Sequence, residues 1–299
     1  MKRLAYILAF WLTLAAPAAA QFGACLPGFC GPPPAAGCVN SGHAAAFLAR
    51  TTGLDGTHVA AYTALLDGLD ADALSCKIDV LHVYATQDST TALLNLIQNA
   101  YNGTAHGAPA FTADQGFTGV DGSTTVYIDT NYNPNTAVAP NFVVLANHTA
   151  VWKLDNSTSD NPSIGSHDGT NLNFIIIRKN GGGSQPNWTF FCADQISSQC
   201  LFGPLLGGTN SIGQWLESRI SGGSSPIYFN GATIGGLAGT NASSIPNFNM
   251  YTLAVNAFGT ATGAAGQLAM AGFGGTLNAT EITNYYNRLR TYMTAVGVP

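Results

Sequence analysis

Charge is what this chain has least of. Only 8% of its 299 residues are Asp, Glu, Lys or Arg, where globular proteins usually carry roughly 25%. With 10 basic residues and a net charge of -5, no basic patch dense enough for a nucleic acid or an anionic membrane surface is expected. Glutamate is scarcer still, and Glu217 and Glu281 are the only two. Glycoside hydrolysis normally needs two carboxyl groups flanking the bond. Glu217 has no carboxyl neighbour in sequence, and Glu281 stands where a helix cap belongs, so only converging aspartates would be left for that chemistry. Gly-x-Ser-x-Gly, His-Glu-x-x-His and Walker motifs are all missing, and no catalytic residue is assigned. There is no Cys-x-x-Cys pair and no histidine cluster of metal-ligand spacing. Asp155, Asp160 and Asp168 are scattered among Asn and Ser, so no cofactor or metal is expected and a calcium site stays unassigned.

What is present begins with a leader. Lys2 and Arg3 precede the apolar run Leu4 to Ala16, which is short for a bilayer span, and Ala18 to Ala20 offer small residues for cleavage before Gln21. This predicts a signal peptide over residues 1–20 and a bacterial protein that is secreted or periplasmic, with no membrane insertion after cleavage. A lipoprotein anchored at Cys25 is the rival, and Phe22 and the distance from the apolar core fit it poorly. All six cysteines, Cys25, Cys30, Cys38, Cys76, Cys192 and Cys200, follow the leader. An even number in an exported chain predicts disulfides. Cys192 and Cys200 are placed to close a local loop, and Cys76 to meet one of the other three, but the connectivity stays open.

Residues 21–41 are rich in Cys, Pro and Gly and carry no hydrophobic period, which predicts a stapled arm. Over residues 42–110 the pattern turns helical. Thr57 is the expected cap of a helix facing inward with Tyr62, Leu65, Leu66 and Leu69. Ile78 to Ala85 reads as helix or strand, and Asp88 as the cap of a segment carrying Leu93, Leu94 and Ile97. Residues 111–299 have the texture of a β-sandwich. Short strands are predicted at Thr124 to Asp129, Asn141 to Ala146, Ala150 to Leu154, Phe174 to Lys179 and Trp188 to Cys192. Others are expected at Met250 to Asn256 and Gln267 to Gly272, and Asn230-Gly231 marks a type I′ hairpin between Pro226 and Ile234. The chain closes on a helix from Asn278 to Gly297. Its stripe is Ile282, Tyr285, Tyr286, Leu289, Tyr292, Met293 and Val296, with Asn278 and Glu281 spaced as a capping box. The fold expected is mostly β: an antiparallel sandwich with an N-terminal helical subdomain and a C-terminal packing helix.

Several pieces of this chain are similar to the concanavalin A-like or laminin-G-like jelly-roll superfamily. They are Val126 to Thr130, the hairpin Ile227 to Gly231, Leu253 to Leu268, and the turn Gly275 to Ile282 into the final helix. Phe111 to Gly119 after a helical lead also resembles bacterial and phage-encoded secreted proteins of this type. The resemblance implies a jelly roll that binds sugars or mediates adhesion, with glycoside hydrolysis in some branches. Sugar recognition asks for aromatic faces beside neutral amides and carboxylates. Trp152, Trp188, Trp215 and Tyr132 are the candidate platforms, and Trp188 leads them because a long loop precedes it. Asn187, Asp168, Asn171 and Asn173 are the candidate polar partners. His167-Asp168 invites a catalytic reading, but neighbours on a strand face opposite ways and a polar turn explains the pair. His43, His58, His82, His106 and His148 are each read as structural or solvated. The function expected is a non-catalytic carbohydrate-binding or adhesion protein whose partner is a polysaccharide or surface glycan. A structural or assembly protein of a surface appendage or phage-like particle is the alternative, and a glycoside hydrolase comes third.

Overall fold

The apolar residues of this chain are sorted by two β-sheets stacked face to face, with helices over the outer side of one of them. The computed structural model describes residues 41–177, 188–196, 201–204, 210–220, 224–238 and 244–298, all within one unit, Gly31–Pro299. The expected leader, Cys25, Cys30, Cys38, Cys200, Asn187 and all of the arm except Ser41 lie outside the described residues.

Helices α1 (His43–Leu48) and α2 (Gly56–Ala71) come first, then strand β1 (Ile78–Val83) and the single turn α3 (Ser89–Ala92). Strands β2 (Thr104–His106), β3 (Ala110–Thr112), β4 (Gly116–Gly119) and β5 (Tyr127–Asp129) follow. Next are β6 (Asn147–Lys153), β7 (Ile164–His167), β8 (Asn171–Ile176), β9 (Trp188–Ile196) and β10 (Leu201–Pro204). The chain continues with β11 (Gly213–Arg219), β12 (Ser224–Phe229), β13 (Ala232–Ala238), β14 (Tyr251–Thr252) and β15 (Ala254–Ala257). It ends with β16 (Thr260–Gly263), β17 (Gly266–Gly274) and α4 (Ala279–Ala295). The first sheet runs β13-β12-β11-β6-β17-β4-β3, with β1 also paired to β17. The second runs β10-β9-β8-β7-β14-β5-β2, and the hairpin β15-β16 joins it through β7. Strand pairing is antiparallel apart from β15 with β7, so the chain is a β-sandwich with helices at both ends.

Alternation along the strands explains the two main cores. Ala150, Trp152, Leu216 and Tyr228 point to one side of the first sheet and join Tyr62, Leu65 and Leu66 of α2 with Ile282, Tyr285 and Leu289 of α4. Val151, Trp215 and Ile227 point to the other side and meet Ile164, Ile175 and Phe191 of the second sheet. The first sheet is therefore covered on both faces. On the outer face of the second, the small clusters around Phe174 and around Tyr251 are built from strand residues alone.

The tail folds as its pattern dictates. Asn278 accepts the Glu281 amide at 3.0 Å, and Glu281 accepts the Asn278 amide at 2.9 Å, closing the capping box. Ile282, Tyr285, Leu289, Tyr292, Met293 and Val296 are buried, and Gly297 ends the helix at φ 86°. Asn230 and Gly231 take φ values of 50° and 75° in the predicted hairpin turn. A Cβ at Gly231 would lie 3.1 Å from Tyr286, so this turn rests on α4.

Elsewhere the structure corrects the reading. The cap of α2 is Asp55, which accepts the His58 amide, and Thr57 lies inside the helix. Ile78 to Val83 is a strand, and the helix capped by Asp88 stops at Ala92, before Leu93. Asn141 to Ala146 is no strand: the Asn141 and Phe142 amides donate to Asp79 and Leu145 takes φ 65°. Thr252 and Ala254 belong to separate strands because Leu253 takes φ 64°.

Candidate functional site

The platforms expected from sequence are mostly core. Trp152 and Trp215 are buried, the first stacked on Tyr286 at 5.8 Å and the second donating Nε1–H to the Ser211 carbonyl at 2.9 Å. Tyr132 is buried too, its hydroxyl donating to Asp79 at 2.8 Å. Trp188 opens β9, opposite Pro204 of β10, and its side chain lies outside the described residues. Asn173 points between the sheets, where its Oδ1 accepts from Thr149 at 3.0 Å. Asn171 shares that inward parity and is buried. Asp168 is spent on its own turn, accepting the Thr170 and Asn171 amides at 3.0 and 2.7 Å and Asn171 Nδ2 at 2.9 Å. Burial pushes its carboxyl up, but these hydrogen bonds outweigh burial and hold it below the ordinary carboxylate value. The polar-turn reading of His167-Asp168 describes what is there. Neither Cys76 nor Cys192 is a free thiol.

The turn acquires a neighbour that sequence reasoning missed. Phe258 is 62% exposed, the one aromatic ring left mostly in water among the residues whose side chains are described. It sits at the tip of the β15-β16 hairpin, with its amide donating to the His167 carbonyl at 3.1 Å. Its ring lies 5.4 Å from the His167 ring, edge to face. A Cβ at Gly169 would come within 2.6 Å of the Phe258 ring, so the two turns touch. Phe258 also holds φ 54°, a left-handed conformation that costs an L-residue roughly 1–2 kcal/mol. The sequence cue was Phe258-Gly259 between two strand-like runs. His167 stays below the ordinary histidine value because burial outweighs the nearby Asp168 charge.

From this tip the outer face of the second sheet carries a row of rings. Gly165 stands opposite Tyr251 in register, and Tyr251 opposite Asp129 of β5. Tyr127 stacks on Tyr251 at 4.5 Å and on His106 at 4.5 Å, so three rings lie side by side across β14, β5 and β2. Asp129 beside them accepts Asn249 Nδ2 through both oxygens, at 3.0 and 3.1 Å. Burial, followed by the Asp129 charge, pushes the Tyr251 hydroxyl up, so it stays a neutral donor at physiological pH. This face offers an exposed ring, a ring row, amides, one carboxylate and hydroxyls, with no cationic side chain in the set.

Both glutamates have other work. Glu281 caps α4 and accepts Lys77 Nζ at 2.6 Å. Glu217 is buried and accepts Ser225 Oγ at 2.6 Å. Among the described residues no group of His, Cys, Asp and Glu is arranged to hold a metal ion, and no helix is long and apolar enough to cross a membrane.

No protein-family model matches this chain, and no curated protein matches it. Solved structures do. One, titled for cell entry of botulinum neurotoxin type C through interaction with two ganglioside molecules, aligns at TM-score 0.54 and 13% identity. The alignment covers 73% of this chain and 53% of that one. Another, the binding domain of botulinum neurotoxin DC in complex with rat synaptotagmin II, aligns at TM-score 0.51 and 14% identity over 72% of this chain and 52% of that one. The chain thus spans about half the length of the structures it matches. At such identities the likeness is one of fold, and this chain shares its β-sandwich architecture with those binding domains.

Proposed function

We propose that this chain is a non-catalytic carbohydrate-binding module that takes its glycan on the outer face of the second sheet, at the tip where Phe258 meets the 167–171 turn. The carrying observation is Phe258, an exposed ring held at a left-handed φ where glycine would fit without strain. A sugar ring lays its apolar face on such a ring, while its hydroxyls reach Thr170 and the amide-rich surface leading to Asn249 and Asp129. The carboxylates of Asp129 and Asp168, with no cation beside them among the described residues, suit a glycan without acidic groups. The commitment of Glu217 and Glu281 elsewhere supports a binding role over glycoside hydrolysis. That a similarly folded toxin domain is titled for ganglioside interaction agrees with this reading. Secretion, the disulfide framework and membership of the concanavalin A-like superfamily belong to the same proposal.

The test is a glycan array followed by calorimetry on the best binder, with wild type, Phe258→Ala, Phe258→Gly and Trp188→Ala. Loss of the ring in either Phe258 variant is expected to weaken binding about tenfold, near 1.4 kcal/mol. The glycine variant should be the more stable of the two, because it relaxes φ 54°. A folded wild-type chain that binds no glycan overturns the function. Glycan binding unchanged in both Phe258 variants and lost in Trp188→Ala would move the site to the opposite end of the sheet.

A further inference from the structure

A second place in the molecule is built to receive a small ligand. A cavity of about 560 Å³ opens between the start of α1, the start of β1 and the loops around Gln98 and Pro140. Ile78, Ile97, Tyr101 and Pro140 give it apolar walls. Its chemistry rests on His43, whose Nδ1 lies 2.6 Å from Asp70 Oδ1. Asp70 is buried near the end of α2 and also accepts Ser75 Oγ and, at 3.4 Å, the His43 amide. Asp70 Oδ1 accepts the hydrogen bond of Nδ1–H, which assigns the tautomer. The lone pair of His43 Nε2 is then left over, with no partner among the described residues.

Gln98 repeats the arrangement. Its Nε2 donates to the Asp79 carbonyl at 2.9 Å, which leaves Oε1 unpaired. Asp79 offers the cavity nothing further, since Asn141, Phe142 and Tyr132 occupy both of its oxygens. Among the described lining residues, His43 Nε2, Gln98 Oε1, Asn141 Oδ1 and the Ser41 and Tyr101 hydroxyls are polar atoms left for a ligand, acceptors outnumbering obligate donors, and no Lys or Arg is among them. Acceptors and hydroxyls together select a ligand rich in hydroxyls, and a carboxylate or phosphate would meet no positive charge among these residues.

We infer that this cavity binds a small neutral polyhydroxylated molecule, a polyol or single sugar ring, whose hydroxyls donate to His43 Nε2 and Gln98 Oε1. The site does not depend on Phe258 or on the outer face of the second sheet, so the two proposals fail separately. Diethyl pyrocarbonate acylates the free nitrogen of a neutral imidazole, and peptide mass spectrometry of the full chain reads the rate at each histidine. His43 should react at a rate comparable with part-exposed His106, while buried His82 and His148 stay protected. A panel of monosaccharides, glycerol and inositol is then tested for slowing His43 alone, with acetate and inorganic phosphate as anionic controls. Slowing by a neutral member and not by the anions is expected. Gln98→Ala, at an exposed residue, should raise the protecting concentration about fivefold, as befits one lost hydrogen bond. His43 as inert as His82 would overturn the proposal. So would labelling that no panel member slows, or slowing by the anions equal to that by the sugars.

Discussion

Three histidines show how single residues set this protein's response to acid. His82 and His148 are buried as neutral rings, with Nε2 of His82 3.0 Å from the Tyr101 carbonyl and Nδ1 of His148 2.6 Å from the Gly275 carbonyl. Burial pushes each down to about 4 from 6.5, against the pull of those carbonyls. His58 goes the other way. Burial opposes its charge, but Asp55 at 2.9 Å and Asp114 at 2.8 Å outweigh burial and lift it above its ordinary value. The signs follow from linkage. Below pH 6.5 the unfolded chain protonates His82 and His148 while the folded chain does not, so their contribution is full above 6.5 and lost as pH falls toward 4. Each loss is on the order of 3 kcal/mol. The contribution of His58 is full below 6.5 and lost as pH rises through its raised folded value. The melting temperature is therefore expected to fall between pH 6.5 and 5, and a His148→Gln variant should show a shallower fall. Equal slopes for the two proteins in differential scanning calorimetry would refute the assignment of His148.

At the scale of elements, those governed by local rules were legible and those governed by distant partners were not. Helix α4 needs only a 3.6-residue stripe, an Asn-x-x-Glu start and a terminal glycine, all visible in sequence. Asn230-Gly231 is as local a signal. Strand β11 was missed altogether, although it lies inside the first sheet between β12 and β6. Glu217 and Arg219 interrupt its apolar alternation, and the fold buries both. Asn141 to Ala146 was read as a strand on its apolar run, yet its first amides serve the carboxylate of Asp79, which is 62 residues away from Asn141. The cap of α4 supports a prediction at this scale. Asn278→Ala removes one partner of the capping box and leaves Glu281 its ion pair with Lys77. A loss of about 1 kcal/mol in urea unfolding is expected, with glycan binding unchanged because α4 covers the other sheet. A loss below a few tenths would mean that the Lys77 pair, not the cap, holds this end.

Taken whole, the molecule places its candidate sites where sequence is least informative. Phe258 is marked only by a following glycine, and His43 finds Asp70 from 27 residues away, so reading each histidine by itself overlooked the pair. The same long reach bears on residues 42–110, whose helical pattern reads as a subdomain packed on the sandwich. Strand β1 pairs along β17 from Ile78 to Val83. Tyr62 of α2 packs against Tyr292 of α4 at 4.9 Å, and Tyr292 donates its hydroxyl to the Ala85 carbonyl at 3.0 Å. Arg288 Nε of α4 reaches Asp72 at 2.9 Å. A chain begun at residue 102 would leave the buried stripe of α4 and one side of β17 facing water, each large side chain forfeiting roughly 1.5–3 kcal/mol. That total exceeds the net stability of an ordinary domain. Such a chain is expected to show no cooperative thermal transition and to bind a hydrophobic dye, whereas the chain begun at residue 42 melts in one transition. A cooperative melt of the shorter chain, with glycan binding retained, would establish the sandwich as an independent domain and the helical segment as an addition to it.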